Sequence, residues 1–187
     1  MELLKKTGFI LICVYLVFVF LPDSVRAGIS STLDPAKTIN ENDIKQIYKN
    51  LLSVSGFTSE AQGFPELVIV PGDNPKLAYF NGTQIVIFQK TIEQLNDKDM
   101  IAAILAHELS HFMRGDGQVE VTDVVSAVHE AGADQLSTYF ILRAGYDPCK
   151  MKQVWIKYRD MSGDYMTNEN HPSNSYRIWQ FSFPQCR

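Results

Sequence analysis

Hydrophobic positions along the chain follow three patterns, and each pattern predicts a different kind of segment. The first is an uncharged apolar run, Gly8–Leu21, behind two lysines. After a polar lead-in, apolar residues recur at intervals of three and four, which predicts an amphipathic helix with Ile44, Ile47, Tyr48, Leu51 and Leu52 on its buried side. Short β-rich runs come next, and the helical period returns from Thr91 onward.

Three strands are predicted in the β-rich region. Leu67–Val70 ends at a Pro-Gly pair, and Ala78–Phe80 and Gln84–Phe88 flank the dipeptide Asn81-Gly82. Asn-Gly is a strong hairpin signal because both residues tolerate positive φ. We therefore expect a small antiparallel sheet.

The remainder of the chain is helical in period. One long Ala- and Leu-rich segment has Asp99 as a candidate N-cap and Gly115 as its stop. A second long segment ends before Pro148, a third begins at Cys149, and "SNSYRIWQF" forms a last short helix. The order helix, strands, helices predicts an α+β fold with the sheet packed on helices.

Composition narrows the class of protein. The 187 residues are 45% apolar and 20% charged, as in an ordinary globular protein. The net charge is −4 and the chain has no Lys/Arg block, which argues against nucleic acid as the main partner.

The N-terminus is typical of an export signal. The apolar run of 14 residues is short for a membrane-spanning helix, which needs about 20. Val25 and Ala27 occupy the small-residue positions of a cleavage site. We predict a cleaved signal peptide, residues 1–27, and one exported domain, residues 28–187, periplasmic or secreted. The alternative is an uncleaved membrane anchor through residues 8–21.

Two cysteines, Cys149 and Cys186, remain after such cleavage. An even pair in an exported protein predicts a disulfide. The alternative is two free thiols.

Candidate chemistry begins with "HELSH". His107 and His111 are one helical turn apart, so both imidazoles can face one Zn²⁺. Glu108 lies next to the open coordination position and is a candidate general base for hydrolysis. The motif alone is only moderate support for a zinc site, because a helical histidine pair is also found merely solvated.

A catalytic zinc takes three protein ligands, so a third is required. Glu130 lies 19 residues after His111 on the second long helix, which can return antiparallel and present it to the metal. Asp134 is on the same face and can orient a ligand histidine through a hydrogen bond. The alternative for both acids is a solvated helix face. His129 is one residue off that face and is not predicted as a ligand.

Together these residues resemble the gluzincin arrangement of zinc peptidases, a minimal zincin domain with a two-helix zinc site. More narrowly, the chain is similar to the HtpX-like family and its CAAX-prenyl-protease relatives. "NPKLAYF", "AGYDP" and "HPSNSYRI" also match that family, so the resemblance covers roughly residues 74–178. It implies one Zn²⁺ per chain, bound by His107, His111 and Glu130, with Glu108 as general base.

The resemblance implies further roles. An edge strand within residues 78–88 would bind extended peptide or unfolded protein by strand addition. His171 and Arg177 match the family's His-Pro…Arg segment and are candidates to stabilise the oxyanion. For His171, capping of a turn is an equal alternative. Tyr176 and Tyr165 are weaker candidates.

The chain also departs from its relatives. Many of them have several transmembrane helices, and this chain has no apolar run of that length after Leu21. Ala131 and Gly132 stand where relatives often have an aromatic residue and an acid, so packing in this part of the second helix does not carry over.

Three functions remain in competition. The leading hypothesis is an exported zinc metalloendopeptidase, with quality control of envelope proteins as the family's usual theme. A catalytically silent peptidase-like module that binds peptide, like a chaperone, is the second. A structural zinc domain is the third, but such sites usually have four ligands and are rich in cysteine.

Overall fold

A computed structural model describes residues 38–56, 63–72, 74, 76–116, 123–162, 173–181 and 186. The predicted signal peptide 1–27 lies outside these residues, as do His171 and Tyr165. The described part of the chain is a mixed α+β fold of six helices and three strands. In chain order the elements are α1 (Glu41–Val54), β1 (Glu66–Val70), β2 (Ala78–Phe80), β3 (Gln84–Phe88), α2 (Gln89–Leu95), α3 (Lys98–Arg114), α4 (Asp123–Arg143), α5 (Lys150–Ser162) and α6 (Asn174–Gln180).

Helix α1 forms where the hydrophobic period predicts it. Its N-terminus carries a capping box: Asn40 and Asp43 exchange side-chain-to-backbone hydrogen bonds of 3.1 and 3.2 Å. Four of the five predicted stripe residues are buried, namely Ile44, Ile47, Tyr48 and Leu51. This stripe closes one side of the hydrophobic core.

The sheet has the order β1-β3-β2, with β3 in the middle. β2 pairs antiparallel with β3, and Phe80 lies opposite Ile85, which confirms the predicted hairpin. The N–H of Asn81 donates to the carbonyl of Gln84, so the central turn residues are Gly82, at φ 98°, and Thr83, one position later than predicted. β1 pairs parallel with β3, with Leu67 opposite Ile85, so the prediction of an all-antiparallel sheet is wrong. The chain leaves β1 for the far edge of the sheet and the hairpin then returns it to the middle. Two reversals of direction leave β3 parallel to β1.

Helix α3, which carries both motif histidines, is buried at every residue from Met100 to Ser110. A helix that is apolar on all sides is one that other elements surround. Here α1, α4, α5 and β2 contact it. Its small residues Ala102, Ala103 and Ala106 are fully buried and leave room for these neighbours.

The two ends of α3 are fixed by local chemistry. Asp97, not the predicted Asp99, is the N-cap: its side chain accepts hydrogen bonds of 2.9 and 3.1 Å from the N–H groups of Asp99 and Met100. Asp99 already lies in the first turn, where its charge suits the helix dipole but its side chain is too far along to cap. Gly115 ends the helix at φ 70°, as predicted.

The C-terminal region is tied together by a disulfide. Cys149, immediately before α5, is bonded to Cys186, which follows α6. This confirms the predicted pair. Over the described ranges, no helix has the length and apolar character needed to cross a membrane.

Candidate metal centre

The two motif histidines lie on adjacent turns of α3, and their rings converge. Nε2 of His107 is 3.1 Å from Nε2 of His111. The ring planes are nearly perpendicular, at 87°. His107 is buried and His111 is half-buried, so the pair stands where the core helix reaches a surface. The spacing of four therefore does what the sequence predicts and directs both nitrogens toward one point.

Helix α4 brings Glu130 to the same point. Its Oε2 is 3.2 Å from Nε2 of His107, and its Oε1 is 3.4 Å from Nε2 of His111. These three residues form a group whose donor atoms could hold a metal ion. Bonds of 2.0–2.1 Å to a tetrahedral Zn²⁺ place ligand atoms about 3.3 Å apart. The donor set of two imidazoles and one carboxylate fits zinc in both type and spacing.

The charge balance of the site also favours a cation. Four carboxylates are buried within it, from Glu108, Asp116, Glu130 and Asp134, and Arg177 is buried with them. Arg114 reaches Asp116 from a more exposed position. Even so, the carboxylates outnumber these two arginines. Buried charge is costly unless it is compensated, and a divalent cation between the histidines and Glu130 would compensate it.

Asp134 lies one helical turn beyond Glu130 and holds the first histidine. Its Oδ1 is 2.9 Å from Nδ1 of His107, the hydrogen bond expected of an orienting carboxylate. Arg177, on α6, in turn holds Asp134: Nε donates to Oδ2 at 3.0 Å and Nη2 donates to Oδ1. His107, Asp134 and Arg177 are all buried.

Arg177 makes two further contacts that fix its position. Its Nη1 is 3.2 Å from Oε2 of Glu130. Its guanidinium carbon lies 3.4 Å from the centre of the Trp155 ring, a stacked cation–π arrangement. Arg177 thus reaches the site as the sequence predicts, and it is bound to both of the α4 carboxylates. Its role as an oxyanion donor stays a prediction.

The carboxylates shift the protonation of this cluster. Burial and the charge of Arg177 lower the pKa of His107, but hydrogen bonds to Asp134 and Glu130 outweigh them and raise it to about 10. Burial raises the pKa of Asp134, but the charge of Arg177 and the hydrogen bond with His107 hold it below its usual range. Positive charge is thus favoured at the point where a metal would bind.

The second histidine is held by a residue that the sequence analysis misses. Asp116 follows the helix stop at Gly115, and its Oδ2 is 2.9 Å from Nδ1 of His111. The available signal is an acid directly after a C-capping glycine, where the chain turns back over the last helical turn. His129 is 3.5 Å from the other oxygen of Asp116 and is not in the three-residue metal group.

Glu108, between the two histidines in sequence, is hydrogen-bonded to the sheet. Its Oε2 accepts a hydrogen bond of 2.8 Å from the backbone N–H of Phe80 on the edge strand β2. A cleft of about 260 Å³ opens here, and it is lined by β2, by the three candidate ligands with Glu108, and by Trp155 and Tyr158. The candidate base therefore lies between the candidate metal ligands and the sheet edge.

The structure brings six of the predicted site residues together. His107, His111, Glu130, Glu108, Asp134 and Arg177 converge, although their separate roles remain predictions. His171 lies outside the described residues. Tyr176 is 46% exposed and hydrogen-bonds to Gln180 of its own helix.

Comparison with known proteins gives a family. The sequence model of peptidase family M48 matches residues 38–129, from α1 through the first seven residues of α4. The match includes the His-Glu-x-x-His motif and ends one residue before Glu130, so the assignment of the third ligand depends on geometry. No curated protein matches the chain. The motif, the converging third acid and the family match together support the assignment of this chain to peptidase family M48, a family of zinc metallopeptidases.

Proposed function

We propose that this chain is a zinc-dependent endopeptidase that cleaves extended polypeptides in an oxidising compartment outside the cytoplasm. The observation that carries the proposal is the position of Glu108. This carboxylate lines the same cleft as the three candidate zinc ligands and is hydrogen-bonded to the backbone of an edge strand. Peptide hydrolysis needs a general base, an electrophile and a means of aligning the scissile bond, and Glu108, a metal bound by the three candidate ligands and the edge strand would supply them.

The edge strand supports an extended substrate. The N–H of Asn81 donates to the carbonyl of Gln84, so these two residues are a hydrogen-bonded pair of the β2–β3 ladder. Because hydrogen-bonded pairs alternate with non-bonded pairs along an antiparallel ladder, Tyr79 and Val86 are the next hydrogen-bonded pair. The backbone groups of Ala78 and Phe80 then point away from the sheet, toward the cleft. A peptide that adds to this edge would place its backbone alongside Glu108. Backbone pairing of this kind accepts many sequences, which suits unfolded protein as substrate.

Each residue of the site has a defined task in the proposed reaction. Zn²⁺, when bound by His107, His111 and Glu130, supplies the Lewis acid that activates water and polarises the scissile carbonyl. Glu108 accepts the proton of the attacking water and returns it to the departing amine. Asp134 and Asp116 keep the two imidazoles oriented through their Nδ1 atoms. Arg177 and His171 remain candidates to stabilise the oxyanion.

The proposed location is supported by two features. A disulfide joins Cys149 and Cys186, and disulfides persist in oxidising compartments. The N-terminal 27 residues are typical of an export signal. Quality control of envelope proteins is a role that these features accommodate.

The experiment compares three purified, oxidised proteins: wild type, Glu108→Gln and Glu93→Gln. Glu93 is an exposed glutamate of α2 and serves as the matched control. Zinc is measured by mass spectrometry of the metal, and cleavage is followed on a library of peptides with blocked ends. We expect about one zinc per chain in all three, internal cleavage by wild type and Glu93→Gln, and none by Glu108→Gln.

Two outcomes would contradict the proposal. A wild type that takes up no zinc after loading removes the metal site. A wild type that binds peptides as Glu108→Gln does, with neither protein cleaving, identifies a peptide-binding module instead.

A further inference from the structure

The two candidate histidine ligands are each held by an aspartate, and each aspartate is held by an arginine. His107 is held by Asp134 and Arg177, all of them buried. On the other side, Oδ2 of Asp116 is shared between Nδ1 of His111 at 2.9 Å and Nε of Arg114 at 3.1 Å. This second set lies nearer the surface, and the Arg114 side chain is 30% exposed.

Arg114 occupies space that a residue of α4 leaves open. A Cβ atom placed on Gly132 would lie 2.6 Å from Nη2 of Arg114 and closer still to its Cζ and Nη1. Among the described residues, no other glycine has any atom within 4 Å of such a Cβ. The guanidinium of Arg114 therefore lies directly against the backbone of α4 at Gly132.

We propose that Gly132 provides the seat for Arg114, and that Arg114 so seated is a positioning residue for His111 acting through Asp116. This inference depends on the proposed zinc site, because its consequence is the affinity and geometry of metal binding. Metal binding by three ligands does not by itself require a glycine at position 132, and the proposal gives this glycine a role.

The need for such a seat follows from where Asp116 lies. Asp134 is built into the middle of α4, so its backbone is fixed by helical hydrogen bonds. Asp116 lies beyond the end of α3, after the turn at Gly115, and so outside the hydrogen-bonded α-helix. A carboxylate bonded to a charged guanidinium is held more strongly than one bonded to a neutral donor. Arg114 links this turn to α4 through its contact at Gly132.

The test uses substitutions whose effects on stability and on metal binding have opposite signs. In Gly132→Ala the new methyl group displaces the end of a flexible side chain and not backbone, so the fold is kept. Alanine in a helix is more stable than glycine, so the apo protein should unfold at an unchanged or higher temperature. Zinc affinity should nevertheless fall by about 10- to 100-fold, the range found for loss of an outer partner of a ligand histidine.

Zinc dissociation constants are measured by competition with a chelating dye, and coordination geometry by the visible spectrum of the Co²⁺-loaded protein. Arg114→Gln should lose zinc affinity to the same extent as Gly132→Ala, and both should change the Co²⁺ spectrum. The double variant Gly132→Ala/Arg114→Gln should be no weaker than either single variant, because both remove one interaction. Arg143→Gln is the matched control, since Arg143 lies on α4 against the Tyr139 ring and should leave affinity unchanged.

The outcomes separate this inference from the proposed function. A wild type that binds zinc together with variants whose affinity and Co²⁺ spectrum match wild type would overturn the inference alone. Losses that add in the double variant would also overturn it, because they show independent effects. A wild type that binds no zinc would remove both proposals. If Gly132→Ala lowers the stability of the apo protein, Arg114→Gln compared with Arg143→Gln decides the question.

Discussion

Oδ1 of Asp134 lies 2.9 Å from Nδ1 of His107, the ring nitrogen that faces away from His111 and Glu130. The imidazole therefore has one nitrogen committed to a carboxylate and the other directed into the site. This arrangement fixes both the tautomer and the rotation of the ring that a metal requires. Because Arg177 binds Asp134 from α6, the orientation of a ligand on α3 depends on a helix near the C-terminus.

Asp134→Asn should weaken zinc binding by about 10- to 100-fold, because a neutral amide is a poorer partner for the imidazole N–H. It also removes the charge that Arg177 neutralises. Zinc dissociation constants measured against a chelating dye check this. Asp160→Asn, at an exposed carboxylate 3.5 Å from Arg159, is the control and should bind zinc as wild type does. Equal affinities for Asp134→Asn and wild type would mean that Asp134 does not orient His107.

Phe80→Pro should reduce kcat/KM for peptides by at least tenfold while keeping the fold. Its N–H points away from β3 to Glu108, so proline removes no hydrogen bond of the ladder. Phe80→Ala separates the backbone effect from the loss of the ring, which packs edge-on against Phe112. Steady-state kinetics on one cleaved peptide gives the comparison. If alanine and proline have the same effect, the backbone of β2 plays no part in binding substrate.

Asp97→Asn should destabilise the protein near neutral pH but not in acid. Burial raises the pKa of Asp97, but its hydrogen bonds and its charge interaction with Lys150 outweigh burial and lower the pKa. When the pKa of a carboxyl group is lower in the folded state, its ionised form stabilises the fold. This stabilisation is present above the pKa of the unfolded state, about 3.9, and is lost as the pH falls through the pKa of the folded state.

The size of this effect should be below about 1 kcal/mol, since the pair is partly exposed and asparagine still caps a helix well. Urea denaturation of wild type and Asp97→Asn at several pH values measures it. The two stabilities should differ at pH 7 and converge as the pH falls through the lowered pKa of Asp97. A difference that is constant across this range would show that the charge of Asp97 contributes nothing.

Loss of the disulfide should destabilise the protein by up to about 4 kcal/mol, the chain-entropy value for a loop closed over 37 residues. The double variant Cys149→Ser/Cys186→Ser tests this by denaturation without a reductant. Wild type with dithiothreitol should match the variant. Zinc affinity is measured alongside, because the bond ties the segment after α6 to the start of α5, and these helices supply Arg177 and Trp155.

The sequence predicts those parts of the fold that local chemistry decides. The stripe of α1, the β2–β3 hairpin and the end of α3 at Gly115 each follow from residues a few positions apart. The direction of β1 does not, because it depends on which edge of the sheet the next strand joins. The N-cap of α3 falls two residues earlier than predicted because only Asp97 is placed to reach the free N–H groups.

The residues of the candidate site also divide into those that the sequence predicts and those that it does not. His107 and His111 share a helix face, so their convergence follows from helical geometry alone. Glu130 and Asp134 are found because a catalytic zinc requires a third ligand and the helix period puts both on one side. The ion pair of Arg114 with Asp116 and the contact of Arg114 with Gly132 form where the end of α3 meets α4. The spacing of residues within one helix does not predict such contacts between two helices.

The burial of α3 from Met100 to Ser110 has a consequence for how this site can change. The helix that presents the candidate ligands is also the centre of the core, so local unfolding cannot expose them separately from the rest of the protein. Amides along α3 should exchange with solvent only through global unfolding, at the slowest rates in the chain. Changes in substrate preference are then expected at residues that line the cleft but lie outside this core, such as Lys76 and Tyr79.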